Sequence, residues 1–231
     1  MPHMEFILCL RYGDIMKKLI IFGFDGTLAD TSPGILHCFN TTATSMGFNP
    51  VDRKAMYGII GFSLEAGLRK LFDMNDSEIE YAINNYSKLY SMKGKEMFYL
   101  YSGIEETLRR LKDDGYLLAV ATQKHDMYTR DMLKTHKVED LFDVICATDV
   151  GKDLHKSNLL RMACEKLEVL PEESIFLGDN YIDAQGAAEV GMDFAAVLYG
   201  WGFRTKAEAQ QYECKLYIEN PEEIYNLIKT L

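Results

Sequence analysis

The chain has 231 residues, 48% of them hydrophobic and 26% charged, and its formal net charge is −10 at pH 7. This length suits one domain with a modest insertion, and the acidic balance argues against a nucleic-acid backbone or an anionic membrane as partner. No stretch of the sequence approaches the roughly 20 apolar residues of a membrane span. Five scattered cysteines without a Cys-x-x-Cys pair favour reduced thiols and a cytoplasmic protein.

Residues 1–15 precede the first predicted element. The opening Met1-Pro2-His3-Met4 is typical of a cloning remnant, and Met16 directly before a basic pair is typical of a natural start. The apolar run Phe6–Leu10 is too short for the core of a signal peptide, and no basic segment precedes it. We therefore expect residues 1–15 to be an extension or a cloning-derived segment outside the fold, with a genuine extra N-terminal segment as the alternative.

The first predicted strand is the apolar run Leu19–Phe22. Gly23 follows it directly, and the turn Asp25-Gly26-Thr27 comes one residue later. On its own, an Asp-Gly-Thr sequence is most often an ordinary turn. At the end of a buried strand, however, it places a carboxylate where open α/β sheets collect their functional groups.

A helical segment interrupts the chain after this turn. Its first helix begins at Thr31-Ser32-Pro33, where two hydroxyl residues and a proline form a typical helix start. Residues 50–98 then carry only helical signals, with apolar residues at helical spacing. Three further helix starts are predicted, at Asp52, Ser63 and Asp76. We therefore predict an inserted helical cap at 33–98 and a core formed by 16–32 and 99–231.

Strands and helices alternate again from Gly103 onward. The predicted helices are 104–113, 126–136, 157–167, 182–190, 206–211 and a last one from Pro221. The predicted strands are 117–121, 144–147, 174–177, 194–198 and 215–218. Such alternation requires right-handed crossovers, so we predict an α/β fold with a doubly wound, mainly parallel sheet.

Chemically useful side chains lie at several of these predicted strand ends and helix starts. Thr122 follows one strand, Lys156 begins a helix, and Gly178-Asp179-x-x-x-Asp183 follows another strand. The last pattern places two carboxylates on one face of a turn that enters a helix, as a hard cation requires. Either acidic motif alone is weak, but the order and placement of all these groups indicate one shared site.

Together these motifs resemble those of the haloacid dehalogenase-like hydrolases, and the position of the cap is similar to that of the phosphoglycolate phosphatase-like group with a helical C1 cap. The resemblance covers residues 18–231. It implies Asp25 as the general acid, and Thr122 and Lys156 as the groups that hold the phosphoryl oxygens. It also implies Mg²⁺ as cofactor, bound by Asp179, Asp183 and the backbone carbonyl of Asp25. The substrate would be a small phosphorylated metabolite, because a closing cap has to expel water.

Further substrate contacts are expected from the first turn, from the residues after Thr122 and from one loop of the cap. These residues are Gly26, Thr27, Gln123, Lys124, Gly61, Phe62 and Ser63. Two alternatives stay open at this point. Lys124 can instead be a solvated loop lysine, and Lys152 is a close rival of Lys156 as the phosphate-binding lysine.

Gly23 departs from the family's D-x-D-G-T motif. In the family an aspartate at this position attacks phosphorus and also binds the metal, and both roles are lost with glycine. We therefore expect a phosphomonoester hydrolase that is inactive as written. A natural pseudophosphatase and a sugar-phosphate mutase are the alternatives. The sequence predicts neither the origin of Gly23 nor the oligomeric state.

Overall fold

The computed structural model describes residues 17–149 and 154–231, so the segment 1–15 and Lys152 lie outside the described residues. The strands are β1 Leu19–Phe22, β2 Ala29–Asp30, β3 Tyr99–Leu100, β4 Leu117–His125, β5 Val144–Thr148, β6 Ser174–Gly178, β7 Asp193–Val197 and β8 Leu216–Ile218. The helices are α1 Ser32–Ser45, α2 Leu64–Leu71, α3 Asp76–Met92, α4 Ile104–Asp113, α5 Asp126–Thr135, α6 Lys156–Leu167, α7 Tyr181–Val190, α8 Lys206–Ala209 and α9 Ile224–Ile228.

Six strands form one parallel sheet in the order β5-β4-β1-β6-β7-β8. Strand neighbours that are distant in sequence require crossovers, and the helices supply them. This confirms the predicted doubly wound α/β fold. Strand β1 is central, and Phe22 at its end lies opposite Val120 of β4 and Leu177 of β6. Groups that follow these three strands therefore meet at one edge of the sheet.

Both faces of β1 are buried, which explains its unbroken apolar sequence. Ile20 and Phe22 pack with residues of α4, α5 and α9 on one face. Leu19 and Ile21 pack with residues of α6 and α7 on the other face. Two hydrophobic layers thus fix the strand that carries the first motif.

The cap consists of α1, α2 and α3 with a short 3₁₀ helix, Arg53–Met56, and it has its own hydrophobic cluster. Helix α3 begins at Asp76 as predicted, because Asn75 and Glu78 form a capping box. The chain enters and leaves the cap through β2 and β3, which form a separate antiparallel pair. Hinges flanking the cap were expected, but strands of two residues show no periodicity, so the sequence did not predict β2 and β3.

The core elements otherwise follow the prediction closely, with one extension. Strand β4 continues past its predicted end at residue 121 to His125. The extension arises because a register shift between Thr122 and His125 lets His125 pair with Thr148 of β5. The strand end that carries Thr122 is therefore locally bent.

None of the helices described is both long and apolar enough to cross a membrane. Of the cysteines that the structure describes, Cys38, Cys146 and Cys164 are buried and Cys214 is half-buried, and all four are free thiols. Their burial matches the expected pattern of mostly buried cysteines.

Candidate active site

Lys156 and Asp183 form the most buried ion pair at the edge of the sheet. The Lys156 Nζ lies 2.9 Å from Asp183 Oδ1, and both side chains are almost fully buried. The same ammonium donates to the backbone carbonyl of Ala121, directly before Thr122, at 3.2 Å. Asp183 Oδ2 accepts the backbone N–H groups of Asp179 and Asn180 at 3.1 and 3.3 Å. Asp183 therefore fixes both the lysine and the turn that carries Asp179.

Asp179 is buried without a basic partner among the described residues. Its Oδ2 accepts the backbone N–H groups of Trp201 at 2.8 Å and Gly202 at 3.0 Å, and its Oδ1 accepts from the Asn180 amide at 3.2 Å. Burial, and then the neighbouring carboxylate of Asp183, raise the pKa of Asp179 well above its usual range despite these hydrogen bonds. A cation bound beside Asp179 would oppose this shift, because it favours the charged carboxylate.

Gly26 lets the first turn approach Asp179. Its φ is +78°, and an added Cβ would lie 2.0 Å from Asp179 Oδ2. Any other residue would be strained in this conformation and would displace the carboxylate. The backbone carbonyl of Asp25, next to Gly26, accepts no hydrogen bond from the residues that the structure describes. This carbonyl is therefore an oxygen donor directly before the residue that approaches the buried Asp179 carboxylate.

Lys124 lies against the predicted general acid. Its Nζ is 3.0 Å from Asp25 Oδ1 and donates to the Tyr90 hydroxyl of the cap at 2.7 Å. Burial disfavours the Lys124 ammonium, but Asp25 and Tyr90 outweigh burial and raise the pKa of Lys124. The side chain is 8% exposed, so Lys124 is not a solvated loop residue.

The two residues before Lys124 point in different directions. Thr122 is buried, and its hydroxyl accepts the Lys124 backbone N–H at 3.1 Å, which stabilises the bend at the end of β4. The Gln123 side-chain amide donates to the carbonyl of Leu154 at 3.1 Å. Gln123 therefore contacts the loop that leads to Lys156.

Gly23 is held by a backbone hydrogen bond to β6 and lies beside the side chain of Thr27. Its N–H donates to the Leu177 carbonyl at 2.8 Å, and its φ is outside the left-handed region. An added Cβ would lie 3.0 Å from Thr27 Oγ1, so that hydroxyl would have to shift by a few tenths of an ångström. Thr27 is fully buried, and its hydroxyl has no hydrogen-bond partner among the residues that the structure describes. The backbone at position 23 can thus accommodate a residue with a side chain. The Thr27 hydroxyl beside it could donate a hydrogen bond to that side chain.

The predicted cap loop lies against the turn that follows β6. Gly61 has φ +94°, and an added Cβ would lie 2.6 Å from the Asn180 amide nitrogen. The Phe62 ring meets the Tyr181 ring edge-on, with centroids 5.6 Å apart. Ser63 instead caps α2 by accepting the Ala66 N–H at 3.3 Å. Two of the three loop residues therefore contact the core beside Asp179.

Three residues that contact the site were not predicted. Tyr90 has helical spacing in α3 and looked like cap packing, although its hydroxyl accepts from Lys124. Trp201 lies in the loop after β7 and belongs to no motif, although its N–H binds Asp179. Tyr199 donates to the Thr27 carbonyl at 2.8 Å. The only sequence signal for this loop was that it contains the single tryptophan of the chain.

Comparison with known proteins places this site in a family. The family model of the haloacid dehalogenase-like hydrolases matches residues 20–197, a span that includes every site residue predicted from the sequence but ends before Tyr199, Trp201 and Gly202. A predicted phosphatase from Clostridium acetobutylicum has a similar structure, with a TM-score of 0.85 and 26% identity; the match covers 94% of this chain and all of that one.

Two curated relatives are named for different activities. The pyrophosphatase PpaX of Bacillus cereus is 26% identical over 92% of this chain and 96% of its own length. The tyrosine-protein kinase PtkA of Mycobacterium tuberculosis is 34% identical over 80% of this chain, and the match spans 63% of the kinase. The family model covers well over half of the sequence, and the parallel sheet and the ordered motifs agree with it. The chain belongs to the haloacid dehalogenase-like hydrolases, a family that includes phosphatases.

Proposed function

We propose that this chain is a phosphomonoester hydrolase of its family that binds Mg²⁺ and a small phosphorylated metabolite but lacks its nucleophile. One observation carries the proposal. Gly23 lies beside the unpaired Thr27 hydroxyl, while Asp25, Lys156 and Asp179 are held by buried partners around it. A carboxylate at position 23 would face the substrate and accept the Thr27 hydroxyl.

The donor groups fit Mg²⁺ in part. No group of three or more His, Cys, Asp or Glu side chains in residues 17–149 and 154–231 is arranged to hold a metal ion. Asp179 and the Asp25 carbonyl are nevertheless hard oxygen donors, and Asp179 is a buried carboxylate without a cation. We propose that these two groups bind Mg²⁺ directly, that Asp183 supports them from behind, and that water completes the octahedron. When bound, Mg²⁺ would neutralise charge on the phosphoryl group.

Side chains of the chain itself account for the other requirements. Lys156 and the Thr122 hydroxyl would bind phosphoryl oxygens, because both lie at the strand edge beside position 23. Asp25 would hold the proton for the leaving oxygen, and the Lys124 ammonium would contact the same oxygen or a phosphoryl oxygen. The cap loop at Gly61 and Phe62 would exclude water on the side of Asp179. The free buried thiols support a reducing, cytoplasmic setting.

A pseudophosphatase is the second candidate, since Gly23 itself favours it. A protein of this kind would bind a phosphorylated ligand or partner without turnover. The buried Lys156–Asp183 pair and the Asp25–Lys124 pair favour the first candidate, because ligand binding alone does not need an acid next to an ammonium.

The test compares this chain with Gly23→Asp and with Gly23→Asn, which has the same size but no nucleophilic oxygen. The substrates are p-nitrophenyl phosphate, a panel of sugar phosphates, and pyrophosphate because of the PpaX likeness. Loss of a nucleophile can cost on the order of 10⁶ in kcat. We therefore expect Mg²⁺-dependent turnover at about 1–10³ s⁻¹ only in Gly23→Asp.

Three outcomes separate the candidates. Turnover of the unchanged chain at an ordinary rate, abolished by Asp179→Asn, would show that position 23 is not the nucleophile's position. A folded Gly23→Asp variant that binds phosphate but stays inactive would favour the pseudophosphatase. Product analysis of an active variant would distinguish release of phosphate from isomerisation, and so a hydrolase from a mutase.

A further inference from the structure

Trp201 contacts Asp179 through its backbone. Its N–H and that of Gly202 donate to Asp179 Oδ2, and the N–H of Phe203 donates to the Asp179 carbonyl at 2.6 Å. Three consecutive amides of one loop therefore hold the side chain and the backbone of the same aspartate. The conformation of this loop determines where the Asp179 carboxylate points.

The side chain of Trp201 lies in the cap interface. Trp201 is 3% exposed, and it packs with Met56 and Ile60 of the cap in a hydrophobic cluster distinct from those of the core. The Tyr57 ring lies 4.8 Å from the indole, and the Arg53 guanidinium lies 4.9 Å above it. The cap thus provides most of the environment of this one core side chain.

Asp30 joins the indole to the hinge. Asp30 Oδ1 accepts the indole N–H at 2.9 Å, and Oδ2 accepts the Tyr99 hydroxyl at 2.7 Å and lies 3.1 Å from Arg53. Asp30 and Tyr99 face each other across the two hinge strands. Movement of the cap about this hinge would change the hydrogen bond of the indole N–H to Asp30 and the contacts of the ring with the cap.

We propose that Trp201 is a positioning residue that links closure of the cap to the orientation of Asp179, so that Mg²⁺ binds more tightly to the closed form. This rests on the proposed Mg²⁺ site. When the cap opens, the indole loses Met56, Tyr57 and Arg53, and the loop that directs Asp179 loses its anchor. Because coupling between two sites is reciprocal, Mg²⁺ binding would in turn favour the closed cap.

The single tryptophan allows a direct test in the intact chain. Its fluorescence reports Trp201 alone. We expect Mg²⁺ to shift the emission to the blue and to protect the indole from acrylamide quenching, since closure buries it. The titration is carried out on this chain and on Gly23→Asp, which restores the missing carboxylate.

Two cap variants test the reciprocal effect. Met56→Ala removes packing from the indole, and Arg53→Ala removes the guanidinium that lies above the indole and pairs with Asp30. Neither residue contacts Asp25, Asp179 or Asp183. We expect each to weaken Mg²⁺ binding, measured by calorimetry, by about 5-fold or more, which is the lower end of typical coupling. Met74→Ala, in the separate cap cluster, is the matched control and should change the affinity less than about twofold.

Variants of Trp201 itself separate positioning from general stability. Trp201→Ala should weaken Mg²⁺ binding at least as much as Met56→Ala, and Trp201→Phe should recover part of it, because the ring still packs without the indole N–H. Two results would overturn the link but not the proposed function. One is a Mg²⁺ affinity in the folded variants Met56→Ala, Arg53→Ala and Trp201→Ala that equals the affinity of the parent chain. The other is a fluorescence that Mg²⁺ leaves unchanged. No Mg²⁺ binding in either background would overturn both.

Discussion

Asp30 and Asp179 are both buried, and both accept a hydrogen bond from Trp201, yet they are opposite cases electrostatically. Three hydrogen-bond partners, Ser32, Tyr99 and Trp201, together overcome the effect of burial and lower the pKa of Asp30. Asp179 has only amide donors and a second carboxylate, Asp183, nearby, and its pKa is raised. The difference shows that burial alone does not decide the charge of a carboxylate; the groups around it do.

This comparison locates the place where the fold leaves a negative charge uncompensated. The negative charge of Asp30 is compensated, because hydroxyl, indole and guanidinium partners surround the carboxylate. The negative charge of Asp183 is also compensated, because Lys156 pairs with it. Asp179 alone of these three lacks a cation, which is the property expected of a ligand to Mg²⁺.

The largest expected effect is the loss of stability when Asp183, like Asp179, has no basic partner. Lys156→Met keeps the length of the side chain but removes its charge, and leaves Asp183 buried without its partner. We expect a loss of about 3–5 kcal/mol in the free energy of unfolding, measured by urea denaturation. Lys156→Met/Asp183→Asn is the matched control and should recover much of the loss. An unchanged stability in Lys156→Met would show that the pair is not buried in solution.

The next effect concerns the missing carboxylate beside Asp179. Gly23→Asp adds a third hard oxygen donor, and because Mg²⁺ affinity rises with ligand charge, we expect binding to tighten by roughly tenfold or more. Gly23→Asn controls for side-chain volume and should give a smaller gain. Calorimetry measures both. Equal or tighter Mg²⁺ binding in the glycine form would contradict a metal-binding role for position 23.

A smaller effect on stability is expected at Thr27. Its hydroxyl, like the Asp179 carboxylate, is a buried polar group with an unmet partner, but it carries no charge. While residue 23 is glycine, this buried hydroxyl has no hydrogen-bond partner within residues 17–149 and 154–231. Thr27→Val should therefore stabilise this chain by about 1 kcal/mol or leave it unchanged, because an unpaired polar group is removed. In the Gly23→Asp background the same substitution should destabilise, since the hydroxyl would then bond the carboxylate. Thermal unfolding of the four proteins measures this change of sign, and the same sign in both backgrounds would contradict contact between positions 23 and 27.

The smallest effect is the pH dependence of Asp30. Its pKa is lower in the folded than in the unfolded chain, so its contribution to stability is present above about pH 4 and is lost as pH falls through the folded pKa. We expect Asp30→Asn to destabilise the protein at pH 6 and the difference from the parent to shrink below about pH 4. Urea unfolding across this range measures it. A difference that does not change with pH would mean that charge on Asp30 contributes nothing.

Residues inside motifs were predictable from sequence because their chemistry and their strand ends coincide. The strand Leu19–Phe22 and the spacing of Asp179 and Asp183 predicted the sheet and the site edge, and the family comparison confirmed the fold and the family. Trp201 and Asp30 could not be found in this way. Their roles depend on contacts between residues far apart in sequence, in a loop and a two-residue strand that have no periodic signal.

The ordinary backbone conformation of Gly23 has an evolutionary consequence. A glycine in the left-handed region could be replaced only with strain, so such a position resists change by mutation. Gly23 is not in that region, and among the described residues the closest contact of an added Cβ is the Thr27 hydroxyl, which can move slightly. In a gene that encodes it with GGT or GGC, one base substitution gives aspartate. Descendants of this sequence could therefore acquire the carboxylate in one mutational step, without a change in the backbone conformation at position 23.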